Sequence, residues 1–254
     1  MALANGLLVH GPTHWAAAVR TDEGELKVAS GRKPSLGASV ADGIPGARGL
    51  LKLGEAIAVI PLVKRALPEA RLPMQDVRTL GAMGAAALGG HAIRSRGARS
   101  VGSEAAVAAL SVAPALLALR RGEVAAYHGV EHKAIAAYEE GEDAAAADKE
   151  HDRCGSNLVA PMLASAVVGN VAARKAGLRG PTAEAVVGLG SAAFAVESFG
   201  WAERHPDSAL ARALRRPGYE IQRLIGTREP TPEQLEVGRA ALAEILRVEE
   251  EAAG

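Results

Sequence analysis

The chain contains 254 residues, and its 29 lysines and arginines are balanced by 29 aspartates and glutamates. Because there is no net positive charge, the composition does not predict binding to nucleic acid. Cys154 is the single cysteine, which excludes a framework of internal disulfide bonds. Apolar residues make up 48% of the chain but aromatic residues only 3%, so alanine supplies much of the apolar surface. Such small side chains leave broad helix faces to cover, and we therefore expect a homo-oligomer.

The first 35 residues have the pattern of β structure. The stretches THWAAAVR and ELKVAS flank the turn TDEG, in which Asp22 and Gly24 are typical turn residues. This pattern predicts a β-hairpin. We assign residues 1–44 to an N-terminal β element and residues 45–254 to a helical domain.

From Pro45 onward the pattern becomes helical. Apolar residues recur at helical spacing in GARGLLKLGEAIAVIPLVKRAL and in most later segments. Gly141 and the pair Pro217-Gly218 are expected to end helices. Predicted helices cover residues 46–67, 76–94, 104–121, the segment before Gly141, the apolar segment from Leu158, 181–203, 206–216 and 232–250. The sequence therefore predicts a mostly α fold, a helical bundle with a small N-terminal β-hairpin element.

Four segments lack acidic and basic side chains, namely residues 79–93, 105–119, 154–173 and 185–196. Only residues 154–173 reach the roughly 20 residues with which a helix crosses a bilayer. The small and polar side chains of this segment make its transfer into lipid only marginally favourable. These residues favour helices buried in a soluble or membrane-associated fold, with weak membrane spans as the alternative.

The stretch AYHGVEHKAIAAYEEGE, residues 126–142, contains two histidines and a glutamate in the order H-x-x-E-H. His128 and His132 are four residues apart, so on a helix both imidazoles project from one face and can converge on one zinc ion. Glu131 would then hold a water molecule as general base, as in the inverted zincin motif. Gly129 is unfavourable inside a helix, which predicts that His128 lies at a helix cap.

A zinc site of this kind needs a third protein ligand, and two other segments offer candidates. In HDRCG, His151 precedes Cys154 by three residues, and the thiol could be a thiolate ligand or a redox-sensitive group. Glu197 follows a long apolar run, where a carboxylate usually has a cation, a histidine or a metal ion as its partner. The predicted metal ligands are therefore His128, His132, Cys154, His151 and Glu197, with Glu131 as the catalytic residue.

Three functions fit these residues. The first is a zinc-dependent hydrolase. The second is a non-catalytic, membrane-associated scaffold or assembly factor, in which the histidines and Glu131 bond to one another and Lys133 faces solvent. The third is a metal- or redox-sensing module centred on Cys154. The residues alone do not decide among them.

Several stretches, in order along the chain, resemble the YqhQ family of bacterial proteins, a family of unknown function sometimes described as predicted metal-dependent enzymes. They are HGPTHWAAAVRTDEGEL, IPGARGLLKLGEAI, YHGVEHKAIAAYE, HDRCGSN and QRLIGTREPTPEQLEV. The third is similar to the family's YHGAEHK…YE signature, and the fourth resembles its HPRCGT. The matching positions there are Tyr127, His128, Gly129, Glu131, His132, Lys133, Tyr138, Glu139, His151, Arg153, Cys154 and Gly155. The resemblance implies a multi-pass protein of the cell membrane, with the cytoplasm as the alternative location, and it supplies no reaction.

Overall fold

A computed structural model describes residues 1–35, 47–73, 75–96, 100–120, 123–141, 143–178 and 180–254. The predicted boundary at residues 44 and 45 lies outside these residues. Within them the fold is mostly helical, with eight α-helices and one small antiparallel sheet, as the sequence predicts.

The N-terminal sheet has three strands, β1 (Gly6–His10), β2 (His14–Arg20) and β3 (Leu26–Arg32). They are antiparallel in the order β1-β2-β3, so the predicted hairpin of β2 and β3 is confirmed and β1 extends it. Gly24 has a φ of 85°, a conformation that glycine adopts without strain, and it turns the chain between β2 and β3. The sheet is the platform on which several helices pack.

Helices cover both faces of this sheet. On one face lie α4 (Glu123–Glu140) and α8 (Pro232–Ala253), whose buried residues form a core with Leu7 and Ala18. On the other face the second half of α1 (Ala47–Ala66) packs against Trp15 and its neighbours. We call β1–β3, α4 and α8 the sheet unit.

The remaining long helices form two antiparallel hairpins. The first consists of α2 (Val77–Ser95) and α3 (Val101–Leu119), and the second of α5 (Val159–Lys175) and α6 (Pro181–Arg204). Helix α3 packs against α5, and the first half of α1 lies beside α6. The last turns of α2 and α5 and the first turns of α3 and α6 lie at the end of the bundle away from the sheet unit, which we call the distal end.

Three helical segments are long and apolar enough to cross a membrane: Val101–Leu119, Gly155–Lys175 and Pro181–Arg204. The longest has 24 residues and is about 36 Å long at 1.5 Å per residue. The protein itself buries no more than 17% of any of these segments. Large apolar side chains such as Val168 and Leu189 are therefore exposed, so these helices are not buried inside the protein as the residues alone favoured.

Charged side chains join the two hairpins at the distal end. The Glu104 side chain is 1% exposed, and its carboxylate lies 3.2 Å from Arg94 Nη2 of α2 and 2.9 Å from Arg174 Nη2 of α5. Arg94 also pairs with the half-exposed Glu184 of α6 at 2.9 Å. A buried carboxylate between two arginines thus ties α2, α3 and α5 together.

One predicted helix end is wrong. Helix α7 (Ala209–Ile221) continues through Pro217 and Gly218 and then widens into a π-helical turn, Gln222–Gly226. Gly218 is required for close packing, because a Cβ at this position would lie 2.1 Å from Asn157 Oδ1. The absence of a side chain lets α7 approach the start of α5 closely, a contact that local sequence rules do not reveal.

Replacing Glu104 tests the distal cluster. Glu104→Gln leaves two arginines partly buried without their central carboxylate, and we expect the free energy of unfolding to fall by about 3 kcal/mol. Denaturant unfolding in mixed micelles, followed by circular dichroism, measures this change. Glu184→Gln is the control and should cost less than about 1 kcal/mol, since its ion pair is half-exposed. Equal effects of the two substitutions would contradict the role of Glu104 as the carboxylate that ties the helices together.

Candidate metal centre

Helix α4 carries both histidines of the H-x-x-E-H motif. It begins at Glu123, so His128 lies inside the helix and the prediction of a helix cap is wrong. Gly129 is needed because the chain after α7 crosses α4 here: a Cβ on Gly129 would lie 2.2 Å from the carbonyl oxygen of Arg228. The Arg228 amide donates to the carbonyl of Ala125 at 2.9 Å, which fixes this crossing.

Backbone carbonyls orient both imidazole rings. His128 Nδ1 lies 2.8 Å from the carbonyl oxygen of Gly226, and His132 Nδ1 lies 2.6 Å from that of Lys149. A carbonyl oxygen can only accept, so the hydrogen-bond network assigns the proton to Nδ1 in each ring. Each Nε2 therefore has a free lone pair, as in the histidine ligands of metal sites.

Cys154 joins the two histidines. Its Sγ lies 3.3 Å from His128 Nε2, and one ligand atom from each of His128, His132 and Cys154 lies within 4.8 Å of the others. Cys154 precedes the short 3-10 turn Gly155–Leu158 that leads into α5, and its sulfur accepts from the Ser156 amide at 3.4 Å. Two nitrogens and one sulfur in this arrangement could hold a metal ion.

The electrostatics of this group favour the thiolate. Burial raises the pKa of Cys154, but hydrogen bonds and charges from His128 and His132 outweigh it and lower the pKa to about 5. Burial lowers the pKa of His128, and the contact with Cys154 reverses this and raises it. The thiolate is the form that ligates metal ions, whereas the proton that this contact favours on His128 must leave before its Nε2 can bind one.

The structure does not bring the other two predicted ligands into this group. The ring of His151 lies 5.9 Å from that of His132, but its Nδ1 accepts from the Arg153 amide at 3.2 Å and its Nε2 lies 3.5 Å from Glu139. Glu197 is exposed on α6 and is not among the three clustered side chains. Of the three candidates for the third ligand, Cys154 is the one that lies beside both histidines.

Glu131 faces the sheet. Its Oε1 accepts from the amino group of Met1 at 2.8 Å, and the side chain lines a cavity of about 180 Å³ with β1 and α8. Glu131 lies about 80° around the helix from the mean direction of His128 and His132, and neither histidine lines this cavity. The predicted role of Glu131 as general base gains no support from this position.

Lys133 is a functional candidate that the sequence reasoning missed. The scaffold hypothesis placed it in solvent, but it is 3% exposed. Its Nζ donates to the carbonyl of Ala147 at 2.6 Å and pairs with Glu229 at 2.7 Å. It thereby anchors the loop that presents the Lys149 carbonyl to His132. Its place within the same motif as both histidines was the available signal.

Gln222 is a second missed residue, and it is fully buried. Its Oε1 accepts from the amide of His151 at 2.8 Å, and its Nε2 donates to Ser156 Oγ at 2.9 Å. Gln222 therefore joins the segment around Cys154 to the π-helical turn that carries Gly226. A glutamine in the stretch QRLIGTREP has no ionisable group, and nothing in the sequence marked it.

Residues 117–248 match the model of a family described as Protein of unknown function (DUF1385). The chain belongs to this family. The resemblance to the YqhQ family is confirmed, because YqhQ proteins are DUF1385 proteins. No curated protein and no solved structure matches the chain. The matched region contains His128, His132 and Cys154.

Gly129→Ala tests the crossing of α4 by the following chain. The added methyl group overlaps the Arg228 carbonyl, so the segment that carries Gly226 must move away from His128. We expect a loss of stability of about 2 kcal/mol from this overpacking, measured by thermal unfolding. Gly155→Ala is the control, because nothing lies near a Cβ at this position. Gly141 also has open space around it, but its φ of 71° would strain an alanine there. An unchanged unfolding temperature in Gly129→Ala would show that the crossing is loose.

His10 lines the same cavity as Glu131, and it should make stability pH-dependent. Burial, then the positive charges of the Met1 amino group and Lys33, lower the pKa of His10 from 6.5 to about 4. The unfolded chain binds this proton more readily, so stability falls as the pH drops from 6.5 towards 4. His10→Gln should flatten this part of the profile of unfolding temperature against pH, whereas His205→Gln should not. A nuclear magnetic resonance titration that gives His10 an ordinary pKa would contradict the prediction.

Proposed function

We propose that the protein is a membrane-bound metalloprotein that holds one zinc ion through His128, His132 and Cys154. The observation that carries the proposal is that one ligand atom from each of these three side chains lies within 4.8 Å of the others, while backbone carbonyls engage both Nδ1 atoms. Imidazole and thiolate donors suit zinc, and donor sets without oxygen ligands are poor sites for magnesium or calcium. A bound cation would offset the charge of the largely buried thiolate once both histidines are neutral.

The membrane location rests on the three apolar helical segments. Their exposed side chains would be covered by acyl chains, and their lengths match a hydrocarbon core about 30 Å thick. Cys154 lies directly before the segment Gly155–Lys175, so the metal centre would lie at the membrane surface beside the sheet unit. The cell membrane is the location that we propose.

A structural role for the ion is better supported than a catalytic one. The ligands come from α4 of the sheet unit and from the start of α5, so the ion would fasten the sheet unit to the apolar helices. His132 and Cys154 are both buried, and Glu131 faces the sheet. This is a form of the scaffold hypothesis. The zinc-dependent hydrolase is the second candidate, because three protein ligands leave a fourth position for water.

Metal analysis of the full chain tests the ligand set. Protein purified in detergent, without chelator and without a histidine tag, should contain about one zinc per chain by elemental mass spectrometry. His132→Ala and Cys154→Ala should lose it, since two ligands do not hold zinc tightly. His151→Ala and Glu197→Gln are the matched controls and should keep it. Folded wild-type protein without metal, or loss of metal in both controls, would refute this ligand set.

Chelation then separates the structural role from the catalytic role. Removing any ion that binds only the folded chain lowers the free energy of unfolding, by about 4 kcal/mol when zinc was present at a thousandfold excess over Kd. If the ion also fastens the sheet unit to the bundle, its removal should speed amide hydrogen exchange where α4 meets the start of α5. Glu131→Gln should keep the zinc. A chelated protein whose amide exchange there is unchanged would favour the hydrolase candidate instead.

A further inference from the structure

Helix α7 lies across the ends of α5 and α6. Near the end of α6, Arg215 Nη2 donates to the Ala202 carbonyl at 2.7 Å and pairs with Glu203 at 2.9 Å. Near the start of α5, the Ser156 hydroxyl donates to the Gly218 carbonyl at 3.1 Å. Helix α7 is therefore held at the level where both apolar segments end, on the same side as the candidate metal centre.

The outward surface of α7 has an apolar edge and a basic edge. Leu210 is 58% exposed, and the exposed Pro217 follows it by seven residues, which is two turns of α7. Leu224, which is 67% exposed, lies in the π-helical turn that continues α7. Arg212 and Arg216 are also exposed and lie one turn apart. We call these five residues the α7 outer face.

The two arginines of this face are not neutralised. Arg212 donates to the backbone carbonyl of Asp207 at 2.6 Å rather than to a carboxylate. Among the described residues, Arg216 has neither a hydrogen-bond partner nor an ion-pair partner. By contrast Arg215 turns inward to Glu203, and Arg223 pairs with Glu220 at 2.8 Å. Two positive charges therefore face outward beside exposed leucines.

We infer that the α7 outer face binds a lipid surface that contains anionic phospholipids. The arginines would contact headgroup phosphates while Leu210 and Leu224 enter the boundary of the acyl chains, which is how amphipathic helices bind bilayers. Trp201, one turn before the end of α6, lies at the same level, where tryptophan is enriched in membrane proteins. The inference rests on the proposed membrane location and is independent of the zinc ion.

Quenching of Trp201 by brominated lipids tests the inference. The full chain with Trp15→Phe, which removes the other tryptophan, is placed in phosphatidylcholine nanodiscs that contain a minor fraction of phosphatidylglycerol. Bromine is carried by either lipid in turn, near the headgroup. We expect bromine on phosphatidylglycerol to quench more than its mole fraction predicts. Arg212→Gln with Arg216→Gln should reduce this preference about thirtyfold, since each charge near an anionic surface contributes about 1 kcal/mol and about 1.4 kcal/mol is tenfold.

The control replaces two exposed arginines of the sheet unit, Arg239→Gln with Arg247→Gln, and should keep the preference. A preference that survives the Arg212 and Arg216 substitutions, or no preference in the parent chain, would overturn the inference. Flotation with pure phosphatidylcholine vesicles tests the membrane location separately. A chain that floats but shows no lipid preference refutes only the role of α7, whereas a chain that does not float refutes the membrane location and this inference together.

Discussion

Two hydrogen bonds from imidazole nitrogens to backbone carbonyls hold the candidate site together. They join α4 to two distant segments, through the Gly226 carbonyl to the turn after α7 and through the Lys149 carbonyl to the loop before α5. Each carbonyl is fixed in turn, the first by the π-helical turn in which Thr227 bonds to Gln222, and the second by the loop that Lys133 anchors. The donor geometry therefore depends on buried polar residues that touch no metal ligand atom. Such residues are expected to matter nearly as much as the ligands themselves.

Helix α4 can do this because it serves two faces at once. One face buries Tyr127 and Val130 against the sheet and α8, where Gly238 lets α8 approach so closely that a Cβ would lie 2.3 Å from Val130. The other face presents His128 and His132 to Cys154. Gly129 admits the chain after α7 in the same manner. Glycines thus allow close packing on both sides of α4, against the sheet unit and against the chain after α7. This dense packing holds the imidazole rings of α4 in fixed positions.

The sequence predicted what depends on local spacing. The hairpin turn at Gly24, most helices and the pairing of His128 with His132 follow from patterns within about ten residues. Predictions from the sequence were wrong where contacts between residues far apart in the chain determine the structure. Gly129 and Gly218 read as helix-weakening residues, but both are places where another segment passes close by. The scaffold hypothesis placed the Lys133 side chain in solvent, but it is enclosed by Glu229 and by the loop whose carbonyls accept its hydrogen bonds. His151, Cys154 and Glu197 were equally plausible as third ligands, because only the tertiary fold determines which of them reaches the histidines.

The placement of polar groups along the bundle explains how one chain can carry both a site and extensive exposed apolar surface. Each end of the bundle carries an ionic group: Glu104 with its arginines at the distal end, and the histidine–cysteine group at the other. Between them, Ser165 donates to the Pro161 carbonyl of its own helix at 2.8 Å and needs no outside partner. Helices in a bilayer require this distribution, since an unsatisfied polar group in hydrocarbon costs several kcal/mol. In water, this placement of the polar groups would not stabilise the exposed valines and leucines. This distribution supports the proposed membrane location, in which lipid would surround the middle of the bundle and α4 and α7 would reach the site from outside the lipid.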